Sequence, residues 1–176
     1  MRILSIALAV FTFAAASFGQ AAREADPKDV ASLDSIMKAV YDSISGDAGQ
    51  KRDWDRFKSL FHKDARLIPT GKNAQTGLFS ARALSPEDYI SRAEPFFEKE
   101  GFYETELARR VEQYGSIVHV FSTYESRHAR GDKPFARGIN SFQLLNDGKR
   151  WWVVTIYWLG ETPELPIPKQ YLKNKN

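Results

Sequence analysis

Hydrophobic positions recur at helical spacing in the first half of the chain and at every other residue in the second. From Asp26 to Ser45 the apolar residues Val30, Leu33, Ile36, Met37, Val40, Tyr41 and Ile44 form one helical face, opened by a capping Asp26 with Pro27 and closed by Gly46. A second, short helix is predicted from about Arg52 to Phe61, with Trp54, Phe57, Leu60 and Phe61 on one side. Ala65 to Pro69 reads as a short strand, followed by a polar loop with turn points at Gly71, Asn73 and Gly77. A third helix opens at Ser85-Pro86-Glu87-Asp88, where Ser85 caps the free amides and Asp88 reaches back; Tyr89, Ile90, Ala93, Phe96 and Phe97 supply its buried face.

From Gly101 onward the period falls to 2, and turn signals at Tyr114-Gly115, Gly131-Asp132 and Asp147-Gly148 separate four long strands of an antiparallel meander. Helices first and sheet last predict an α+β domain over residues 26–160, three N-terminal helices packing on the concave face of a curved, mostly antiparallel sheet. The tail, residues 161–176, contains Pro163, Pro166 and Pro168 and is expected to be extended on the surface. Regular pairing from the turns puts Tyr103, Thr105, Leu107, Arg109, Val111, Val118, Val120, Ser122 and Tyr124 on one face, the expected interior. Glu104, Glu106, His119, Glu125 and Arg127 then fall outside as cross-strand charge pairs, a disposition that a one-residue bulge would reverse. In the last hairpin Asn140, Phe142, Leu144, Trp151, Val153, Thr155 and Tyr157 share the inner face. Ile139, Trp152, Val154, Ile156 and Trp158 share the outer one. Both faces are apolar and one helical layer covers only one, so the outer set is expected to meet a second copy of the chain as a homodimer.

Composition narrows the class. Aromatic residues make up 13% of 176 residues, which excludes a disordered chain, and a net charge of +3 spread along the sequence gives no reason to expect a nucleic-acid partner. Residues 1–19 read as a signal peptide: Arg2, an apolar run of about 14 residues, too short for a spanning helix, and a small-residue end at Ala14 to Gly19. The expectation is an exported protein, periplasmic or extracellular, with no later apolar segment to hold it in a membrane. The chain lacks cysteine, and His62, His119 and His128 have no ligand-like spacing, so no metal or cofactor is expected. No Gly-rich phosphate loop or hydrolase elbow occurs.

The order of elements, the stretches Asp53-Trp54-Asp55-Arg56-Phe57 and Phe61-His62-Lys63-Asp64-Ala65, and the ending Asn146-Asp147-Gly148-Lys149-Arg150-Trp151-Trp152-Val153-Val154 resemble the nuclear transport factor 2-like superfamily, also called SnoaL-like or cystatin-like cone folds. The resemblance spans about residues 29 to 160. It implies a conical domain with an internal pocket between sheet and helices, and frequent dimers through the convex sheet. Functions in this superfamily run from isomerases, dehydratases and polyketide cyclases to plain binding domains, so the fold does not name the chemistry. Catalytic members carry Asp, Glu or His on the concave strands, whereas the concave set assigned above contains none. The expectation is therefore a small-molecule pocket without an acid or base, its polar groups being Trp54, Tyr89, Arg109, Tyr124, Asn140, Thr155 and Tyr157, with Arg109 suited to an anionic ligand. A cofactor-independent lyase or isomerase, or a protein-interaction module on the convex sheet, is the alternative.

Overall fold

The computed structural model describes residues 23–173; the expected signal peptide lies outside them. Helices α1 (Pro27–Val30), α2 (Leu33–Ile44) and α3 (Trp54–Ser59) precede strands β1 (Phe61–Lys72) and β2 (Phe79–Ala81). Helix α4 (Pro86–Glu100) leads into strands β3 (Tyr103–Tyr114), β4 (Ile117–Arg127), β5 (Ala136–Asn146) and β6 (Trp151–Gly160). The domain is α+β, with the six strands in one curved, unclosed mixed sheet of order β2-β1-β6-β5-β4-β3. The helices cover one face of it.

The helical pattern is realised with one break. Ser32 accepts from Ser35 N at 3.0 Å and starts a new helix, so the expected single helix over 26–45 becomes two and the helices number four. Helix α2 then buries Ile36, Met37, Val40, Tyr41 and Ile44 against Phe57, Val118, Val120, Phe142 and Val153. The Ser85–Asp88 capping box forms as its spacing predicts. Strand β1 is longer than residues 65–69 and runs parallel to β6, which the antiparallel meander alone does not contain.

Two register shifts correct the face assignment. In β3, Glu106 lies opposite Tyr124 but Ala108 lies opposite Thr123, leaving Leu107 without a partner. Because side chains alternate with period 2, this bulge turns Tyr103, Thr105 and Leu107 away from the interior and carries Glu104 and Glu106 in. In β6, Val153 lies opposite Leu144 but Thr155 opposite Gln143, leaving Val154 unpaired. Thr155 and Tyr157 therefore point outward, Tyr157 being exposed, while Ile156 and Trp158 turn inward opposite Phe142 and Asn140. His119, Glu125 and Arg127 stay on the outer face, where Glu125 pairs with Arg127.

The tail is not simply extended. After Gly160 it crosses the outer face, Arg137 Nε donating to Glu161 Oε2 at 2.8 Å, and ends in a 3-10 turn, Lys169–Tyr171. There Thr123 Oγ1 donates to Tyr171 O at 2.6 Å and the Tyr171 ring packs against Phe121. The outer side of β3 and β4 around Arg110, Phe121 and Thr123 is thereby covered by the chain itself.

Candidate functional site

The inner face of the sheet and helices α2 and α4 enclose a cavity of about 420 Å³. Half of its lining residues are aromatic: Phe57 stacks on Tyr89 and Phe97 on Phe102, and Tyr89 meets Trp158 edge-on at 6.1 Å. Phe96 and Phe135 also line it yet are 43% and 45% exposed, so the opening lies on their side, with the exposed Arg92 beside it. Tyr124 lies over Gly138. A Cβ there would stand 2.5 Å from Tyr124 Oη and 2.6 Å from Leu159 O, so only glycine leaves room for the ring.

The cavity contains one carboxyl group, that of Glu104. Its position follows from local chemistry. Arg52, buried at the end of α2, donates from Nε to Ile44 O at 3.0 Å and from Nη2 to Gly46 O at 2.7 Å, fixing the 44–47 loop. That loop pairs through Gly46 with Phe102, and Ser45 Oγ accepts from Glu104 N at 3.1 Å, which pins the bulged end of β3. The Glu104 carboxylate accepts from Ser126 Oγ at 3.0 Å and from Asn140 Nδ2 at 3.3 Å. These two bonds favour the ionised form, but removal from water outweighs them and pushes the group up from its ordinary value near 4.5 to about 7. Glu104 keeps intermediate exposure, as a residue lining an open-mouthed cavity does, while protein surrounds its carboxyl closely enough for desolvation to dominate.

Three tyrosines stand around it. Burial and the nearby Glu104 charge push the hydroxyls of Tyr41, Tyr89 and Tyr124 above the usual phenol range, so all three remain protonated donors. Tyr41 Oη lies 2.7 Å from Ser122 Oγ and accepts from Asn140 Nδ2 at 3.2 Å. The Tyr89 and Tyr124 hydroxyls have no hydrogen-bond partner among the described residues, which leaves both available to a bound molecule. An apolar chamber with one carboxyl of near-neutral pKa and two phenolic donors can bind a small, largely apolar molecule and exchange a proton with it.

Of the seven residues expected at the site, Tyr89, Tyr124 and Asn140 line the cavity. Trp54 stands one layer back: its indole donates to Glu94 Oε1 at 2.6 Å and its ring packs on Phe57 and Phe97. Arg109 lies outside the cavity, ion-paired with Glu106 and with Asp34 of α2. Thr155 and Tyr157 are on the far side of the sheet, for the reason given above. Glu104, Tyr41, Ser126 and Trp158 were missed, and two of them, Glu104 and Trp158, are the residues the bulges re-aim. The outer-face set loses Ile156 and Trp158 and keeps Ile139, Trp152 and Val154. Trp152 is held there by the Arg150 guanidinium, 3.5 Å above its ring, and by a bond to Asp147. Among the described residues no group of three or more His, Cys, Asp or Glu side chains is placed to hold a metal ion.

No protein-family model and no curated protein matches the chain. Solved structures do. A protein of unknown function with a cystatin-like fold from Nostoc punctiforme superposes with a TM-score of 0.56 at 10% identity, over 83% of this chain and 100% of that one. A Xanthomonas campestris protein, provisionally described as a calcium/calmodulin-dependent protein kinase II association domain, gives 0.54 at 16% identity, over 74% and 86% of the two chains. An NTF-2-like protein of unknown function from Silicibacter pomeroyi gives 0.51 at 14% identity, over 74% and 94%. The chain has the cone fold of the nuclear transport factor 2-like superfamily. At these identities the likeness is one of fold, and the chemistry rests on the cavity.

Glu104 sets a pH dependence of stability. Its folded pKa lies above the unfolded one, so its favourable contribution is complete below about 4.5 and is lost as pH rises to 7. Glu104→Gln, which removes the charge and keeps the shape, is expected to be more stable than the wild type at pH 8 by on the order of 3 kcal/mol, the difference vanishing toward pH 4. Urea unfolding at both pH values measures this; a difference that does not change with pH contradicts the assignment.

Proposed function

We propose that the protein binds a small, mostly apolar carbonyl compound in the cone cavity and acts on it as a cofactor-independent isomerase or lyase, with Glu104 as the acid–base group. The observation that carries this is the placement of a single carboxyl, with a pKa of about 7, in an aromatic chamber beside two phenolic donors without protein partners. A base that titrates near neutrality is half ionised at working pH and still basic enough to accept a carbon-bound proton. In the first step the Glu104 carboxylate takes a proton from a carbon next to the substrate carbonyl. The electron pair moves onto the carbonyl oxygen, where Tyr89 and Tyr124 O–H groups donate to the developing enolate. In an isomerase, protonated Glu104 returns the proton to a different carbon; in a lyase, it gives the proton to the departing group.

Incubation with small ketones in D2O, followed by NMR, tests this through exchange of the acidic C–H. Exchange above the buffer rate is expected, falling by roughly 10²–10⁴ in Glu104→Gln, with tyrosine-cavity binding retained. Equal exchange by the two proteins would leave a binding protein only.

Export remains part of the proposal, supported by the small-residue end of the N-terminal apolar run. Mass spectrometry of the native protein should find a mature chain starting near Gln20; a chain retaining residues 1–19 in the cytoplasm argues otherwise.

We also propose a homodimer through the outer face of β6 and β1, which Trp152 and Val154 share with Tyr157 and Ile68, with Ile139 at its edge beside the tail-bonded Thr123. The fold neighbour described as an association domain supports a self-associating surface on this architecture. Trp152→Ser is expected to convert dimer to monomer in sedimentation at micromolar concentration. A monomeric wild type rejects the dimer.

A further inference from the structure

Behind the cavity, a line of hydrogen bonds joins Asn140 to a second carboxylate. Glu106 Oε2 accepts from Arg109 Nε at 2.9 Å and also from its Nη2, while Arg109 Nη1 donates to Asp34 Oδ1 at 2.8 Å. The other oxygen, Oε1, lies 2.6 Å from Ser122 Oγ. Ser122 Oγ is 2.7 Å from Tyr41 Oη, and Tyr41 Oη is 3.2 Å from Asn140 Nδ2. Ser122 is fully buried, and Tyr41 and Asn140 nearly so.

The direction of every bond in this line follows from its charged end. An ion-paired carboxylate oxygen only accepts, so the Ser122 O–H must donate to Glu106. A hydroxyl has one proton, so Ser122 can only accept from Tyr41, and Tyr41 must donate to Ser122. Tyr41 can then only accept from Asn140, which requires the amide nitrogen of Asn140 to face it. That same nitrogen lies 3.3 Å from Glu104 Oε1. The amide orientation, which geometry alone does not decide between oxygen and nitrogen, is decided by the anion three bonds away.

We propose that Glu106 is a positioning residue: from outside the cavity it fixes the polarity of the Ser122–Tyr41–Asn140 line, so that Asn140 presents an N–H and not its carbonyl oxygen to Glu104. This deepens the reading of Glu104 as the acid–base group and rests on it. With a neutral amide at 106, the line can reverse. The Gln N–H donates to Ser122, Ser122 to Tyr41, and Tyr41 to a flipped Asn140, whose oxygen then faces the Glu104 carboxylate and disfavours its ionised form. The titratable and charged groups that line the cavity with Glu104 are Tyr41 from α2, Tyr89 and Arg92 from α4 and Tyr124 from β4, while Glu106 of β3 stands behind Ser122. The three phenols hold their protons through neutrality, so a change at 106 is read at Glu104 without interference from them.

The test is a side-chain carboxyl ¹³C NMR titration of Glu104 between pH 4 and 9 in the wild type, Glu106→Gln and Glu106→Asp. Glu106→Gln is expected to raise the Glu104 midpoint by about one pH unit or more, a charge-assisted bond being exchanged for a repulsion, while Glu106→Asp, which keeps the anion, leaves it unchanged. A folded Glu106→Gln protein with an unmoved midpoint overturns the proposal, as does an equal shift in Glu106→Asp, because loss of packing alone would then account for both. If Glu106→Gln fails to fold, Ser122→Ala decides. It removes the acceptor of Tyr41, turns that hydroxyl toward Asn140 and should raise the midpoint likewise; no shift overturns the proposal. The underlying reading fails separately, through a wild-type midpoint near 4.5, and the shift between variants still reports on Glu106 in that case.

Discussion

A β-strand alternates its side chains with period 2, and a single residue without a partner reverses that alternation for everything beyond it. Leu107 is such a residue. Without it, Glu104 and Glu106 would belong to the solvated charge ladder of Glu125 and Arg127, and the cone would enclose only hydroxyls, an amide and aromatic rings. With it, one carboxyl enters the cavity and another takes its place behind Ser122. The chemistry proposed for this chain depends on that one register shift.

The bulge is held by forces visible elsewhere in the chain. Arg52 spends its guanidinium entirely on backbone carbonyls at the end of α2, and the loop it fixes pairs with Phe102 and Glu104. A buried arginine satisfied by main-chain oxygens has little reason to be there except geometry, since desolvation lowers its own pKa and so costs stability. The desolvated carboxyl of Glu104 also costs stability above neutral pH, because its two bonds do not offset the loss of water. Groups that reduce stability and are nevertheless held firmly by their surroundings mark functional sites more reliably than well-paired ones.

Much of the fold was legible in the chain. Helical spacing located α2 and α4, the Ser85–Asp88 pattern located a capping box, and the Gly-containing turns located the hairpins. Local patterns suffice there because each element buries one face and needs only neighbours in sequence to declare it. The parallel pairing of β1 with β6 was not legible, since it joins residues some ninety positions apart, as in Pro69 with Trp158. Nor were the bulges. Leu107 and Val154 are ordinary strand residues with no glycine or proline beside them, and what selects the shift is tertiary: the anchored 44–47 loop at one edge and β1, itself shifted between Phe61 and Arg66, at the other. Face assignments on the turn side of each bulge were therefore sound, while Tyr157, Thr155 and Trp158, on the far side, were reversed.

The two shifts are related by position. Strands β4 and β5 form an unbroken ladder from Ile117 with Leu145 to Ser126 with Ala136. The bulges at Leu107 and Val154 lie in the two strands that flank this ladder, and both reverse the same end of the sheet: residues 103–106 of β3 and 155–160 of β6, which lie level with Tyr124, Gly138 and Asn140. At the other end, regular pairing points Val118, Val120, Leu144 and Val153 at α2 and α3 in a filled core. The sheet is thus divided along its strands into a half that packs and a half that encloses. The bulged half receives an acid from one flank and a tryptophan from the other, and Gly138 between them gives up its side chain so that Tyr124 can lie flat. A regular six-stranded sheet would bury this end as it buries the first; breaking the period on both flanks is what leaves room for a ligand and supplies the carboxyl that can act on it.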